Sequence, residues 1–311
     1  MSYKLLSYQA GRDARAGVLV GDIVYDAAKI TGDSAHSSVL GILKDWSKAK
    51  RVLAQAAKRI EDGKSRAKGV ALKRTRLLAP VLYPGNIYCA GANYTDHMAE
   101  MARAAGQAPG PTMKELGEKP WHFVKTSKSS IVGPGAKVRL PLFSQMVDWE
   151  VELAVVMGKT VKDVPVEKAL DCVAGYTIAN DLSARDVMKR EKNPSASPFY
   201  WDWLSQKCFD GACPLGPWIV PASDIPDPQK LGLKLWVNDR LMQDSHTSKM
   251  IFDTAEQIAM LSSRVTLHPG DLILTGTPAG VGMGRRLFLK PGDTVRLWIE
   301  GIGELSNTMT G

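Results

Sequence analysis

One stretch of the chain, VDWEVELAVVM at positions 147–157, restricts its fold more than any other. A strand sends successive side chains to opposite faces, so Asp148, Glu150 and Glu152 share a face that continues as Ala154 and Val156. Ionised carboxylates at the margin of an apolar core are costly unless something compensates them, and a divalent cation does so economically. A second apolar run, AGYTIAN, delivers Asp181 just past its end. Carboxylates with no nearby Cys or His make a hard oxygen site, which favours Mg2+, Mn2+ or Ca2+ over zinc. Spacing alone does not bring Asp181 to the glutamates: an exposed acidic strand face beside an unrelated loop aspartate has the same sequence.

A second constellation is NYTDHMAEM. On a helical turn His97 and Glu100 are three apart and therefore neighbours, so the carboxylate can orient the imidazole and raise its basicity. That arrangement suits activation of water; a surface helix with a chance ion pair has the same spacing. Asp96 reads as a cap of the turn. Lys207, in SQKCFDGACPLGP, sits where low local charge would let a lysine act as an electrostatic clamp. The loop TGTPAGVG offers backbone amides and threonine hydroxyls but lacks the Gly-Lys-Ser/Thr ending of a phosphate loop, which argues against nucleotide binding there. His36, His122, His246 and His268 have no metal-ligand spacing and read as structural, and the four scattered cysteines form no CxxC pair.

The 311 residues carry a formal net charge of +8, which at face value raises a polyanionic partner. The excess is local. Residues 1–80 hold 16 Lys and Arg against 7 Asp and Glu, and the remainder is nearly neutral. That first segment reads as a strand-rich start followed by a helical stretch from about Ser38 to Ile60. A polar, basic run, EDGKSRAKG, precedes new Pro and Gly punctuation and a boundary near residue 78. Short β-type runs recur beyond it, with helices expected at Ile251 to Leu261 and Val166 to Cys172. Residues 101–120 form a connection longer than ordinary loops, as lids do. No apolar run reaches the length of a bilayer span and the start lacks the apolar core of a signal peptide, so a cytoplasmic location is expected.

Taken together, IYCAGANYTDHMAE, FVKTSKSSIVGPG, VDWEVELAVVMGK, YTIANDLSARD, KCFDGACPLGPWIVP and LTGTPAGVG occur in the order and approximate spacing of the fumarylacetoacetate hydrolase superfamily. The chain resembles its acylpyruvase and 2-hydroxyhepta-2,4-diene-1,7-dioate isomerase-like branch over about residues 85–305. The resemblance implies a mixed α+β, mainly β fold: a β-roll catalytic domain at 79–311 behind a small N-terminal α/β domain at 1–78. It also implies a homodimer, and Mg2+ or Mn2+ (Ca2+ in crystals) on Glu150, Glu152 and Asp181. Substrates would be 2-oxo or 2,4-dioxo acids chelating the metal. By the same resemblance His97 and Glu100 form a dyad on a lid, Lys207 stabilises negative charge, Arg185 belongs to the substrate-side loop, and Thr277 hydrogen-bonds the oxo acid. Two departures stand out. Met188 occupies a position where acylpyruvases often carry glutamine, and the segments 101–120 and KREKNPSASPFYWDW add bulk around the pocket mouth.

The expected reaction is hydrolysis of a C–C bond in an acylpyruvate or fumarylpyruvate-type acid, releasing pyruvate or a related 2-oxo acid in aromatic or sugar-acid catabolism. Isomerisation, decarboxylation or hydration of 2-hydroxy-diene dioates at the same metal site is the alternative. A non-catalytic binding protein using its basic N-terminal domain is the alternative of another class. The expected partner is a small-molecule acid, with neither nucleic acid nor membrane involved.

Overall fold

The strand that carries Glu152, Val151–Met157, is buried on both faces. The computed structural model describes residues 3–311 and sets this strand between two antiparallel neighbours, Val173–Asn180 and Leu272–Leu274. Leu153, Val155 and Met157 pack into one hydrophobic core with Tyr176, Ile178 and Ile273. Ala154 and Val156 pack into a second with Ala174, Ala179, Leu272 and Leu274. Each fully buried Leu or Val side chain contributes about 1.5–3 kcal/mol. The near-continuous apolar run VELAVVM is thus the signature of a doubly covered strand, interrupted at one place by a glutamate.

The sheet extends both ways from this centre. On one side Cys213–Pro221 follows Val173–Asn180, and then come Lys4–Ala10, Asp13–Val20, Ile23–Asp26 and Val70–Ala71; on the other, Ile87–Ala90 and His122–Lys125 follow Leu272–Leu274. A second, five-stranded sheet joins Arg240–His246, Gly232–Val237, Thr294–Ile299, Gly303–Thr310 and Lys137–Arg139. Most pairings are antiparallel, and strand exceeds helix, as the mixed, mainly β reading requires. The boundary expected near residue 78 would fall directly after the short strand Leu77–Leu78, which pairs with Lys4–Ala10. Across it the two parts share a sheet, through Leu5 opposite Ile219, and a core, in which Leu5, Ile42, Leu43 and Leu53 pack with Ile87, Leu215 and Ile219.

The expected helix from Ser38 to Ile60 is two helices, Val39–Leu43 and Trp46–Glu61. Asp45 ends the continuity: its side chain accepts from the Lys48 N–H at 3.3 Å and starts the second helix afresh. The helix expected at Ile251 to Leu261 runs instead over Thr254–Arg264, because Asp253 and Glu256 cap each other's backbone N–H groups there. Ile251 and Phe252 are buried in the approach to it. The helix Thr95–Ala104 opens the long connection, whose exposed turns are tied down where Lys114 pairs with Glu256 at 2.6 Å. No helix among the described residues is long and apolar enough to cross a membrane.

Candidate metal centre and active site

The strand pairing brings the acids together. Glu150 lies in the gap between the short strand Val147–Asp148 and Val151–Met157. Its N–H donates to Asn180 Oδ1 at 3.0 Å, and its carbonyl accepts from the Asp181 N–H at 3.0 Å. Asp181 is therefore held beside Glu150 by the end of its own strand. Glu150, Glu152 and Asp181 are all buried, and each offers an oxygen within 4.8 Å of the others. Asp148 parts from them. The strand breaks after it, and its carboxylate accepts from Gly282 N–H at 2.6 Å, Met283 N–H at 3.0 Å and Arg185 Nε at 2.9 Å.

Three cations answer the four carboxylates. Lys207 Nζ donates to Glu150 Oε2 at 2.9 Å and Asp181 Oδ2 at 2.7 Å. Lys125 Nζ donates to Asp181 Oδ1 at 2.6 Å and to the Leu182 carbonyl at 3.0 Å. Arg185 bridges Asp148 and Glu150. Both lysines are only 3% exposed. Burial alone would discharge Lys207, but the facing carboxylates of Asp181 and Glu150 outweigh it and hold its pKa above the ordinary lysine range. Burial would likewise raise Glu150, and Lys207 and Arg185 more than reverse this, so its carboxyl lies well below the usual range. Glu152 forms no ion pair among the described residues. Burial, and then the charges of Asp181 and Glu150, push it well up, against the charge of Lys207 and a hydrogen bond from the Gly276 N–H at 2.7 Å.

That imbalance is the test of a metal. Three buried oxygen donors converge, one of them is left without a cation, and the set contains no sulfur or nitrogen ligand. A hard divalent ion fits such a set. Glu150, Glu152 and Asp181 are the residues that would hold it.

The glycine-containing loop after Leu274 supplies the frame. Its amides take Glu152 through Gly276, Asp96 through Ala279, Glu100 through Gly280 and Asp148 through Gly282 and Met283. Gly276 has φ +98, in the region that favours glycine, and a Cβ there would approach the Asn93 Cβ to 2.8 Å. The loop that lacked a phosphate-binding ending is a cradle for the protein's own acids. Asp96, which the sequence suggested as a cap, binds Ser245 Oγ at 2.6 Å, Lys249 Nζ at 3.1 Å and the Ala279 N–H instead.

The helix Thr95–Ala104 brings His97 over the acids, with Nδ1 3.7 Å from Glu100 Oε2. Glu100 also accepts from the Gly280 N–H at 2.9 Å. Burial raises its carboxyl, but the imidazole and the amide outweigh that and hold it below its ordinary range. Below His97 is a cavity of about 150 Å³, lined by Glu150, Glu152, Arg185, Lys207 and Thr277 and walled by Trp121, Phe123, Trp203 and Met188. Trp121 lies so close to the Gly91 backbone that a Cβ on Gly91 would come within 1.9 Å of the indole. Trp121 and Trp203 meet edge to face at 4.8 Å, and Phe123 stacks on Trp203 at 5.4 Å. A buried cluster of three carboxylates, a histidine–glutamate pair and a small walled cavity thus occupy one place.

Residues 86–310 match the family model described as fumarylacetoacetate (FAA) hydrolase, C-terminal. The chain belongs to the fumarylacetoacetate hydrolase family. Among relatives, it is 46% identical over 233 residues to the mitochondrial oxaloacetate tautomerase fahd2 of Xenopus laevis, covering 74% of this chain and 67% of that one. Among solved structures, it matches maleylpyruvate hydrolase from Sphingobium sp. SYK-6, in complex with manganese (II) ion and pyruvate, with a TM-score of 0.74 and 30% identity over 99% of this chain and 98% of the other. It also matches 2-hydroxyhepta-2,4-diene-1,7-dioate isomerase from Mycobacterium marinum, with a TM-score of 0.70 and 30% identity over the same shares. Members of this fumarylacetoacetate hydrolase family are enzymes, and these three names span tautomerisation, hydrolysis and isomerisation.

Within this family member, the nine site residues expected from sequence gather around one cavity. Asp181 and Glu100 stand just behind its lining, and the other seven line it. Two of them are already engaged by the protein. Thr277 donates its hydroxyl to the Val151 carbonyl at 3.0 Å and accepts from Gln243 Nε2 at 2.9 Å, so that hydroxyl hydrogen is already spent within the protein. Arg185 is spent on Asp148 and Glu150. Sequence reasoning missed Lys125, Asp148 as the partner of Arg185, Gln243 and Gln206. For Lys125 the signal was present in FVKTSKSSIVGPG, a lysine ending an apolar run; no local pattern marks the others.

Proposed function

We propose that the chain is a divalent-metal-dependent enzyme that interconverts the keto and enol forms of a small 2-oxo acid of the oxaloacetate kind. The observation that carries this reading is the buried cluster of Glu150, Glu152 and Asp181 at the floor of a cavity of about 150 Å³, roughly five water molecules' worth of liquid volume. Such a space suits a short acid, and the similarity to an oxaloacetate tautomerase names the class. Glu150, Glu152 and Asp181 would hold a divalent cation, which would supply positive charge to stabilise the enolate of a 2-oxo acid. His97 faces the cavity and is the group placed to take the C3 proton and return it to the C2 oxygen, with no net change in atoms. Glu100, anchored on Gly280, keeps the imidazole turned inward and offsets the imidazolium charge. Lys207 and Arg185 hold the acids in place, and Trp121, Phe123 and Trp203 form the wall of the cavity.

C–C hydrolysis at the same site is the second reading, favoured by the His97–Glu100 pair on a helix that covers the cavity. In that case His97 deprotonates water rather than carbon. One assay separates them: the protein with Mn2+ is given oxaloacetate and, separately, an acylpyruvate panel. Fast equilibration of enol absorbance without pyruvate supports tautomerisation, and stoichiometric pyruvate from an acylpyruvate supports hydrolysis. Glu150→Gln is expected to abolish either activity, at least a hundredfold by order of magnitude, together with Mn2+ binding. Full metal-dependent turnover in that variant would remove the proposed centre. We also propose that the chain pairs as a homodimer, supported by Leu142 and Phe143, which stand 82% and 57% exposed side by side.

A further inference from the structure

The polar groups facing the cavity differ in whether the protein already uses them. Lys207 is neutralised by Glu150 and Asp181, and Arg185 by Asp148 and Glu150. The Thr277 hydroxyl lies between the Val151 carbonyl and Gln243. Two remain. One is His97, whose Nδ1 faces Glu100 Oε2 at 3.7 Å and whose ring lines the cavity. The other is Gln206, one residue before Lys207 on the short helix Trp203–Lys207. It lines the cavity, is 1% exposed, and its Oε1 is buried with no partner.

A buried side-chain amide that bonds nothing in the protein costs about 1–3 kcal/mol, and a ligand that accepts from its Nε2 returns part of that. Asp202 caps the helix through the Ser205 N–H at 2.9 Å, so Gln206 is presented from a fixed turn rather than a free loop. The chelating end of an oxo acid would lie at Glu150, Glu152 and Asp181. Met188 and the rings of Trp121, Phe123 and Trp203 line much of the rest of the cavity.

We propose that Gln206 is a specificity-determining residue of this site: its carboxamide Nε2, which donates to no group among the described residues, donates to the polar group at the non-chelating end of the substrate, a C4 carboxylate or carbonyl. A carboxamide carries both donors and an acceptor, so it serves either the donor-seeking carboxylate of a diacid or the hydroxyl of its enol. The inference rests on the oxo-acid reading of the site. It implies selection for acids of at least four carbons over oxalate and pyruvate, whose chelating unit is nearly the whole molecule.

The test is calorimetric binding to the Mn2+-loaded full chain. Oxalate and pyruvate supply the chelating end alone, while oxaloacetate and acetopyruvate add the far-end group. For Gln206→Met, oxaloacetate and acetopyruvate are expected to bind about tenfold more weakly, the loss of one buried hydrogen bond, while oxalate and pyruvate bind as to the parent protein. Gln206→Asn, which keeps the amide but withdraws it, is expected to show the same selective loss; retained oxalate binding shows that both variants are folded. Equal weakening of all four ligands, or of none, overturns the assignment. If the parent protein binds these acids selectively yet does not equilibrate the enol, the proposed reaction fails and the role of Gln206 stands. If it binds no oxo acid with Mn2+, both fall.

Discussion

Lys125 and Lys207 make the acid cluster tolerable. Asp181 has lysine on both oxygens, at 2.6 and 2.7 Å, with all three groups buried. Removing one partner of such a set leaves an uncompensated buried charge, which typically costs 3–5 kcal/mol. Lys125→Met is expected to lose about 3 kcal/mol, at the lower end because Lys207 still serves Asp181. Added Mn2+ should recover much of that loss by binding the folded state alone. Thermal denaturation with and without Mn2+ reads both effects; a variant as stable as the parent without added cation would show that Lys125 carries no electrostatic load. At this scale the sequence was informative about which residues matter and silent about their pairings. Glu150, Glu152 and Asp181 were legible because acids at the margin of apolar runs demand compensation. The compensation by Lys125 was not legible, since 56 residues separate it from Asp181 and only the sheet brings them together.

Single elements carry consequences of their own. The strand His122–Lys125 holds His122 with both ring nitrogens lacking hydrogen-bond partners, and burial pushes its pKa down to about 4. In the unfolded chain it would titrate near 6.5. Between those values the unfolded state binds the extra proton, so stability is intact above pH 6.5 and falls as the pH drops toward 4, by a total of roughly 3 kcal/mol. Urea denaturation at pH 7.5 and 5 should show about 2 kcal/mol of that loss in the parent protein and much less of it in His122→Leu. An equal pH dependence in both would mean that His122 is solvated. The sequence reading of His122 as structural agrees with its burial, but periodicity gave no sign of a discharged imidazole beside the cavity wall. Helix limits were also only partly legible: Asp45 and Asp253 are caps, and their positions within otherwise periodic runs moved the starts of two helices.

At the scale of the molecule, the first 78 residues and the rest close one sheet. Lys4–Ala10 covers the edge of Cys213–Pro221, and Leu5, Ile42 and Leu53 complete a core with Leu215 and Ile219. A chain of residues 79–311 alone would expose that edge and core face. It is expected to aggregate or to lack a cooperative thermal transition by circular dichroism, whereas the full chain unfolds in one step; a stable, cooperative 79–311 fragment would contradict this coupling. The proposed dimer is checked by light scattering, with Leu142→Asp and Phe143→Asp together expected to give a monomer. The basic excess of residues 1–80 belongs to this half of the sheet and its helix Trp46–Glu61, away from the acid cluster, and so bears on surface rather than chemistry.

By itself the sequence determined the strands, the acids against them and the His97–Glu100 spacing, because alternation, apolar runs and acids against them are local properties that energetics reads within a few residues. Arg185, Thr277 and Met188 came only with the resemblance. Ordered motifs carried the family. Only the tertiary structure decided which carboxylates converge, that Asp148 leaves the cluster for Arg185, that the Thr277 hydroxyl is already spent, and that Gln206 is not. The physical reason is that hydrogen-bond satisfaction and charge compensation are settled between strands far apart in the chain. A side chain's chemistry is written at its own position, but whether the protein has already used it depends on neighbours that folding supplies.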